Sequence, residues 1–490
     1  MATPSYQDFV SHRTRLNPCL SGLATYLSSK PRNASTTIVI DYPHDGGPPS
    51  SPISIAEPSY ANLIDGISSA TRFIFVEDIG PRLINLLGAL LDVDPLFFAN
   101  HFSTDLRNVE LATPPPSAVL PPSVVSERGY LHLHYQQVVS LGPAEALKDA
   151  AYSLKSDSNI PRNIRRLPPL SGRQLALARA CCSVLVKKIA NGSSIGLCLI
   201  DPPVRAAIDA PKQGPRKAYP AKHVQGGLED FGPPSSYSSY INGKDNDLWD
   251  NSSMLSSLLH YYRTPPPGFS RQNPTILDVG YYPVRLVLSE WSVYTILISR
   301  YFKYYEYSLN DMAHRLHDDD IIDLQRWRRR SKQSQQKLSV LAAFISYWMP
   351  QQQHQPWAVV LDDVHHVRQQ LKYYSQSLEQ IVMVATSMVQ LFDSRRSILE
   401  AVNVRRLTYI ALVFVPLSWV ASLFSMSEGY VPGNRNFWVY FATALPLVVV
   451  VLLVSAIPYD RVKECLARRW TQFVDAKQGT RRFGDKLTLP

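Results

Sequence analysis

The sequence has little cysteine and lacks the short motifs that mark common enzyme classes. No two of its five cysteines form a CxxC pair; they are Cys19, Cys181, Cys182, Cys198 and Cys465. This spacing predicts reduced thiols rather than a disulfide framework. No GxSxG, HExxH, Walker or Rossmann pattern occurs. We therefore expect neither enzymatic activity nor an organic cofactor.

The start of the chain also lacks the apolar run of a secretory signal, since it reads MATPSYQDFVSHRTRLNP. We expect the N-terminal part to stay in the cytosol, where the N-x-S/T sites at Asn33, Asn191 and Asn251 would not be glycosylated. The net charge is +10, but no nucleic-acid-binding motif accompanies it. We favour solvated basic faces and attraction to an anionic membrane surface, and expect no nucleic-acid partner.

Two long uncharged segments lie near the C-terminal end. Residues 407–424 read LTYIALVFVPLSWVASLF, and residues 437–457 read FWVYFATALPLVVVVLLVSAI. At about 1.5 Å rise per residue, each can cross about 30 Å of hydrocarbon as a helix. The link at 425–436 is too short to be a domain. The pattern predicts a two-helix transmembrane hairpin in a multi-pass membrane protein.

Basic residues flank both segments on their outer sides. They are Arg395, Arg396, Arg405 and Arg406 before the first segment, and Arg461, Lys463, Arg468 and Arg469 after the second. The short link carries one base, Arg435, and one acid, Glu428. The positive-inside rule therefore predicts that both termini are cytosolic. We expect the plasma membrane as the location.

The sequence pattern of the rest of the chain predicts an α/β cytosolic domain and a long stalk helix. Short strand-like runs at 72–79, 131–139, 182–189 and 195–200 alternate with helical spacing of leucines after residue 82. We divide the chain by composition and periodicity as follows: a flexible N-terminal segment at 1–60, the first part of the α/β domain at 61–205, a Pro/Gly-rich linker or insertion at 206–275, a helical part at 276–355, the stalk continuing into the first span at 356–424, the outer loop at 425–436, the second span at 437–457 and a basic tail at 458–490.

Three stretches carry a resemblance to a known family. They are RFIFVEDIGPRLINLLGALLDVDPLFFANHF at 72–102, GLCLIDPPV at 196–204 and RRLTYIALVFVPLSWVASLFSM at 405–426. With the hairpin and stalk, they resemble the CorA family of divalent-cation transporters, and the fungal CorA-like branch in particular. The resemblance implies a funnel-shaped α/β domain, five copies around one axis, and a first span that lines the pore.

The family ends its first span with an aromatic-Gly-Met-Asn motif, and this sequence departs from it. Phe424, Ser425, Met426 and Ser427 stand at that place, so Gly and Asn are replaced by serine. Gly permits a sharp backbone turn, and a ring of Asn carbonyls can meet the waters of a hydrated Mg²⁺. The selectivity of any pore for Mg²⁺ is therefore open.

Further pore residues follow from the family's spacing. Counting back from Ser427 selects Ser418, Val415 and Leu407, with Leu407 as a hydrophobic constriction and Ser418 as a polar step. Ordinary helix or lipid contact is the alternative for each. We also expect assembly through the stalk, because its apolar stripe needs a partner. The stripe consists of Leu371, Leu378, Val382 and Val389.

One histidine-acid group could ligate a divalent ion. His314, His317 and Asp318 fall at i, i+3 and i+4 of a predicted helix, although a solvated charged face is the alternative. His132 and His134 share one face of a predicted strand, where satisfied or exposed histidines are the favoured interpretation.

These observations predict a homopentameric CorA-like channel or transporter for divalent metal cations, with Mg²⁺ as the transported or regulatory ion. The alternative is a non-conducting CorA-like membrane scaffold or regulatory protein, which the altered motif would suit.

Overall fold

A computed structural model gives the structure of the chain. It describes residues 4–64, 69–102, 122–189, 192–209, 215–232, 236–241, 249–310, 318–351, 356–426 and 435–456. The chain forms two compact units, Met1–Ala385 and Thr386–Pro490.

The strands of the first unit are, in chain order, β1 (Thr36–Tyr42), β2 (Ile53–Ser54), β3 (Thr71–Glu77), β4 (Tyr130–Pro143), β5 (Ser153–Ser156), β6 (Asn163–Arg166), β7 (Arg173–Lys188), β8 (Ser194–Ile200), β9 (Ala206–Asp209), β10 (Lys217–Pro220) and β11 (Lys222–His223). The described strands form one sheet in the order β10-β9-β5-β6-β7-β8-β3-β1-β2, and β4 pairs with both β7 and β11. β3 and β8 run parallel, with Phe75 opposite Cys198, whereas β7 and β8 form an antiparallel hairpin.

The helices are α1 (Tyr6–Thr14), α2 (Ser21–Leu27), α3 (Pro81–Leu90), α4 (Pro95–Phe102), α5 (Pro122–Glu127), α6 (Tyr237–Ile241), α7 (Met254–Tyr261), α8 (Ile276–Asn310), α9 (Asp318–Trp348), α10 (Pro356–Ser425) and α11 (Trp438–Ala456). Pro81 and Pro95 each stand at the first residue of a helix, where the missing N–H is not needed.

Both faces of the central strands are covered by helices. Alternate residues of β3 point to opposite faces: Phe73 and Phe75 join a core with α7, α8, α9 and α10, whereas Ile74 and Val76 join a core with α1 to α4. All seven residues of β8 are buried, as its continuous apolar sequence SIGLCLI requires of a central strand. The α/β domain and the long helix predicted from the sequence are thus confirmed.

The ordered part of the first unit extends beyond the predicted boundaries. The range 1–60, which we expected to be flexible, holds α1, α2, β1 and β2. The range 206–275, expected as a linker, contributes β9, β10 and β11 to the sheet and α7 to the core. Short strands without clear alternation carry little sequence signal, which explains the difference.

The apolar stripe of α10 is already covered within the chain. Leu371, Leu378 and Val382 are buried in the core of the first unit, and the Gln335 side chain of α9 donates a hydrogen bond to the carbonyl of Leu371. The reasoning that this stripe needs a second copy is therefore wrong for these three residues. It rested on a helix taken alone, without the helix that packs beside it.

Candidate functional site

The C-terminal part of α10 has the composition and exposure of a membrane span. Among the described residues, α10 is the one helix that is long and apolar enough to cross a membrane, and only 11% of its apolar 18-residue stretch is buried. A core helix of a soluble protein would be mostly buried. The exposed apolar side chains of this stretch therefore need a nonaqueous environment or other helices around them.

The second apolar helix, α11, packs against α10 within the second unit. Val420 and Ala444 are buried, and the rings of Phe424 and Tyr440 meet edge to face with centroids 6.1 Å apart. The apolar run of α11 counted from described residues, Trp438–Leu453, is shorter than a full span. The predicted hairpin is thus shown for its first helix and in part for its second, because residues 427–434 and those after 456 lie outside the described part.

Three of the predicted pore residues share one face of α10. At about 100° per residue, Leu407, Ser418 and Ser425 lie within about 20° of one another around the helix axis. All three are exposed in the single chain. Residues on one exposed face can all reach a common axis when copies assemble.

Val415 lies on a different side, about 80° from Leu407. It lines an apolar groove of about 490 Å³ between α10 and α11, together with Leu447 and Val451. The structure therefore separates Val415 from the other three. Met426 is 83% exposed just after α10 ends, and Ser427 lies outside the described residues.

The hydroxyl of Ser418 is satisfied inside its own helix. Its Oγ donates to the backbone carbonyl of Val415 at 2.9 Å. Such a bond removes the cost of placing a free hydroxyl donor in an apolar environment. Its oxygen can still accept a hydrogen bond from water, so the side chain suits a polar step in a pore.

The predicted metal group is not assembled in the described part of the chain. His314 and His317 lie outside the described residues, and Asp318 is the first residue of α9. Among the described residues, no cluster of three or more His, Cys, Asp or Glu side chains has the arrangement to hold a metal ion.

Arg162 and Asp201 form a buried ion pair that sequence reasoning missed. The Arg162 Nε donates to Asp201 Oδ2 at 2.7 Å, and its Nη2 donates to Asp201 Oδ1 at 2.9 Å. The Arg162 Nη2 also donates to the carbonyl of His101 at 2.8 Å, and the Cys181 backbone N–H donates to Asp201 Oδ2 at 2.7 Å. The expectation of solvated basic faces does not hold for Arg162, because nothing in the local sequence RNIRR at 162–166 marks its first arginine as buried.

The two strand histidines are half-buried beside this pair. Ser183 Oγ lies 2.7 Å from His132 Nδ1 and 2.8 Å from His101 Nδ1. Burial lowers the pKa of His132 to about 3 and lowers that of His134 strongly, so both rings are neutral at physiological pH. The interpretation as structural histidines fits His132, which has this hydrogen bond.

One known family model matches the part of the chain that holds these two apolar helices. Residues 299–459 match the family model described as CorA-like Mg²⁺ transporter protein. This region of the chain is similar to the CorA family. It covers about one third of the chain, begins within α8, and contains α9, α10 and α11 with every predicted pore residue. The predicted resemblance to the CorA family is confirmed there.

Solved structures similar to the chain include two of low identity. The CorA magnesium transporter from Methanocaldococcus jannaschii has 9% sequence identity, with 85% of this chain and 96% of that chain covered and a TM-score of 0.38. The full-length CmaX protein has 14% identity, with 89% of this chain and 99% of that chain covered and a TM-score of 0.34. No curated protein matches the sequence. The CorA-like assignment therefore rests on the family model.

Proposed function

We propose that the chain is a membrane transporter for divalent cations, with Mg²⁺ as the expected ion. The observation that carries this proposal is the exposed, uncharged, membrane-length segment of α10 inside the CorA-like region. An ion path needs a polar or narrow route lined by helices, because charge is costly in hydrocarbon. The face of α10 that bears Leu407, Ser418 and Ser425 supplies the groups for such a route.

The path requires more than one copy of the chain. One or two helices cannot enclose water, so the shared face must meet the same face of other copies. We propose five copies, as in the CorA family, with Leu407 at a hydrophobic constriction. We place the assembly face on the membrane segment of α10. The apolar stripe in the earlier part of α10 is already buried within the same chain and does not need a second copy.

The end of the span determines how an ion enters. Ser425 is the last residue of α10 and Met426 follows it, and Ser427 completes the FSMS sequence in place of aromatic-Gly-Met-Asn. A serine hydroxyl is a shorter and weaker acceptor than an Asn carbonyl for the hydration shell of Mg²⁺. We therefore propose weaker discrimination among hydrated divalent cations than a ring of Asn would give.

Both termini are proposed to face the cytosol, because the arginines precede the first apolar segment and follow the second. A tag after residue 490 should resist membrane-impermeant labelling in intact cells and react after permeabilisation. Labelling in intact cells would contradict this orientation.

Ion flux through purified protein in liposomes tests the transport proposal. Leu407→Ser should increase uptake of Mg²⁺ because it weakens the hydrophobic constriction. Leu423→Ser is the matched control, since Leu423 is also exposed but lies about 160° from Leu407 around the helix. Equal flux in both variants, or none above empty liposomes in any form, would contradict the proposed pore face.

A further inference from the structure

The transport proposal does not use the apolar groove between α10 and α11. Its wall consists of seven apolar side chains and one threonine, namely Thr408, Ala411, Leu412, Val415, Pro416, Trp419, Leu447 and Val451. The hydroxyl of Thr408 donates to the backbone carbonyl of Val404 at 2.8 Å, so this polar group is satisfied within its own helix. The lining therefore suits an apolar chain.

The groove faces a different direction from the proposed pore face. At about 100° per residue, Trp419 and Leu412 lie about 120° and 140° from Leu407 around the axis of α10. Copies of the chain that meet along the face of Leu407 would therefore leave the groove turned outward. In a membrane, the surroundings on that side are lipid.

The length of the groove matches the depth of one membrane leaflet. Its wall on α10 runs from Thr408 to Trp419, which is about 16 Å at 1.5 Å rise per residue. Half of a hydrocarbon core of about 30 Å is about 15 Å. Thr408 is the second residue of the uncharged segment at 407–424, so the groove begins at the depth where acyl chains begin.

An arginine lies in line with the groove at this end. Arg405 stands about one helical turn before Thr408 and within about 20° of Leu412 and Pro416 around the axis. Its side chain is exposed, its Nε donates to the Tyr409 hydroxyl at 3.0 Å, and its guanidinium lies 5.5 Å from the centroid of that ring. No carboxylate of the described residues pairs with Arg405, so its Nη groups can donate to an external anion.

An apolar groove one leaflet deep with a cation at its outer end has the chemistry of a site for an anionic phospholipid. A guanidinium binds phosphate oxygens through two parallel N–H groups. With both termini in the cytosol, as proposed above, Arg405 lies at the leaflet that carries anionic lipids. We propose that this groove holds an acyl chain of an anionic phospholipid whose phosphate is bound by Arg405.

The probe for the test is phosphatidylglycerol that carries bromine on the lower half of its acyl chains. It is added at a low mole fraction to phosphatidylcholine vesicles that contain the full-length protein. Bromine quenches indole fluorescence on contact, and Trp419 is an exposed indole at the deep end of the groove. The signal of Trp419 is obtained by subtracting the spectrum of Trp419→Phe. We expect about fivefold enrichment of phosphatidylglycerol at Trp419 over phosphatidylcholine brominated in the same way.

Two substitutions of Arg405 and one matched control test the role of the arginine. Arg405→Gln should abolish the preference for phosphatidylglycerol, whereas Arg405→Lys should retain part of it, because the charge stays and the planar fork is lost. Arg406→Gln is the matched control, since Arg406 is also exposed but lies about 120° from Leu412 around the helix. Its preference should equal that of the native protein.

Three results would overturn the proposal. Equal quenching of the native protein by the two lipids would mean that the groove takes lipid without selecting a headgroup. Absence of quenching of Trp419 by either lipid would mean that a protein helix fills the groove. Equal loss of preference in Arg405→Gln and Arg406→Gln would assign it to general surface charge. If Arg405→Gln does not fold, the two lipids on native protein and Arg405→Lys decide the question. Flux in liposomes is a separate measurement, so failure here leaves the transport proposal standing.

Discussion

Replacing Arg162 by alanine should destabilise the first unit by about 3–5 kcal/mol, because it leaves the carboxylate of Asp201 buried without its cation. The Arg162 side chain is 2% exposed and that of Asp201 is 7% exposed. Three side-chain hydrogen bonds between 2.7 and 2.9 Å disappear at once, two of them to Asp201. The remaining donor to Asp201, the Cys181 N–H, cannot replace the lost charge.

The control is a second arginine–carboxylate pair, which has one hydrogen bond and lies in an exposed environment. Arg82 Nη1 lies 2.9 Å from Glu57 Oε1, and the two side chains are 80% and 50% exposed. Water screens this pair, so Arg82→Ala should cost about 0–1 kcal/mol. The difference between the two variants isolates the effect of burial from the effect of losing an arginine.

The assay is thermal unfolding of the full-length protein in detergent at one fixed scan rate, since such unfolding is commonly irreversible. Arg162→Ala should lower the apparent midpoint by several degrees, and adding Asp201→Ala should recover part of the loss because no charge then remains unpaired. Burial already raises the pKa of Asp201, so the deficit of Arg162→Ala should grow as the pH rises and that carboxyl ionises. Equal midpoints for Arg162→Ala and Arg82→Ala would refute the reasoning.

Burial raises the pKa of Glu77 from its usual 4.5 to about 7, and its Oε1 is buried without a partner. The folded protein therefore loses stability as the pH rises through 7 and this carboxyl ionises. In the same assay, Glu77→Gln should increase the free energy of unfolding by about 1–3 kcal/mol at pH 8 and change it little below pH 4.5. A Cβ on Gly88 would meet the Tyr6 ring; Gly88→Ala should cost about 1–3 kcal/mol, and an unchanged midpoint would contradict this packing. Ser425→Gly with Ser427→Asn should raise Mg²⁺ flux in liposomes about tenfold per 1.4 kcal/mol of entry barrier removed, because Gly frees the turn and Asn reaches the hydration shell; unchanged flux would contradict that role for the two serines.

The sequence predicted elements whose pattern is strong and local. β3 and β8 are apolar runs bounded by turn residues, and α10 is a long stretch without Gly and without Pro between its first residue and Pro416. These signals arise within one element, so they survive without knowledge of its neighbours. The membrane-length segment of α10 was predicted for the same reason.

Features that depend on distant partners could not be predicted. Arg162 meets Asp201 only because β6, β7 and β8 are adjacent in the sheet. The hydrogen bond between His223 and Glu290 joins a range that we expected to be a linker to α8. The apolar stripe of α10 was seen correctly as a contact surface, but its partner is α9 of the same chain. The spacing of apolar residues shows that a helix or strand has a face to bury, but it does not identify the element that covers that face.

Uptake of Mg²⁺ into liposomes containing the purified full-length protein tests the central claim most directly. A Mg²⁺-sensitive dye inside the liposomes should report uptake that exceeds empty liposomes, rises in Leu407→Ser, and stays at the native level in the matched Leu423→Ser variant. If native protein, Leu407→Ser and empty liposomes give the same signal while the protein remains folded and oligomeric, the chain does not conduct Mg²⁺ along this face of α10 and the transport proposal is contradicted.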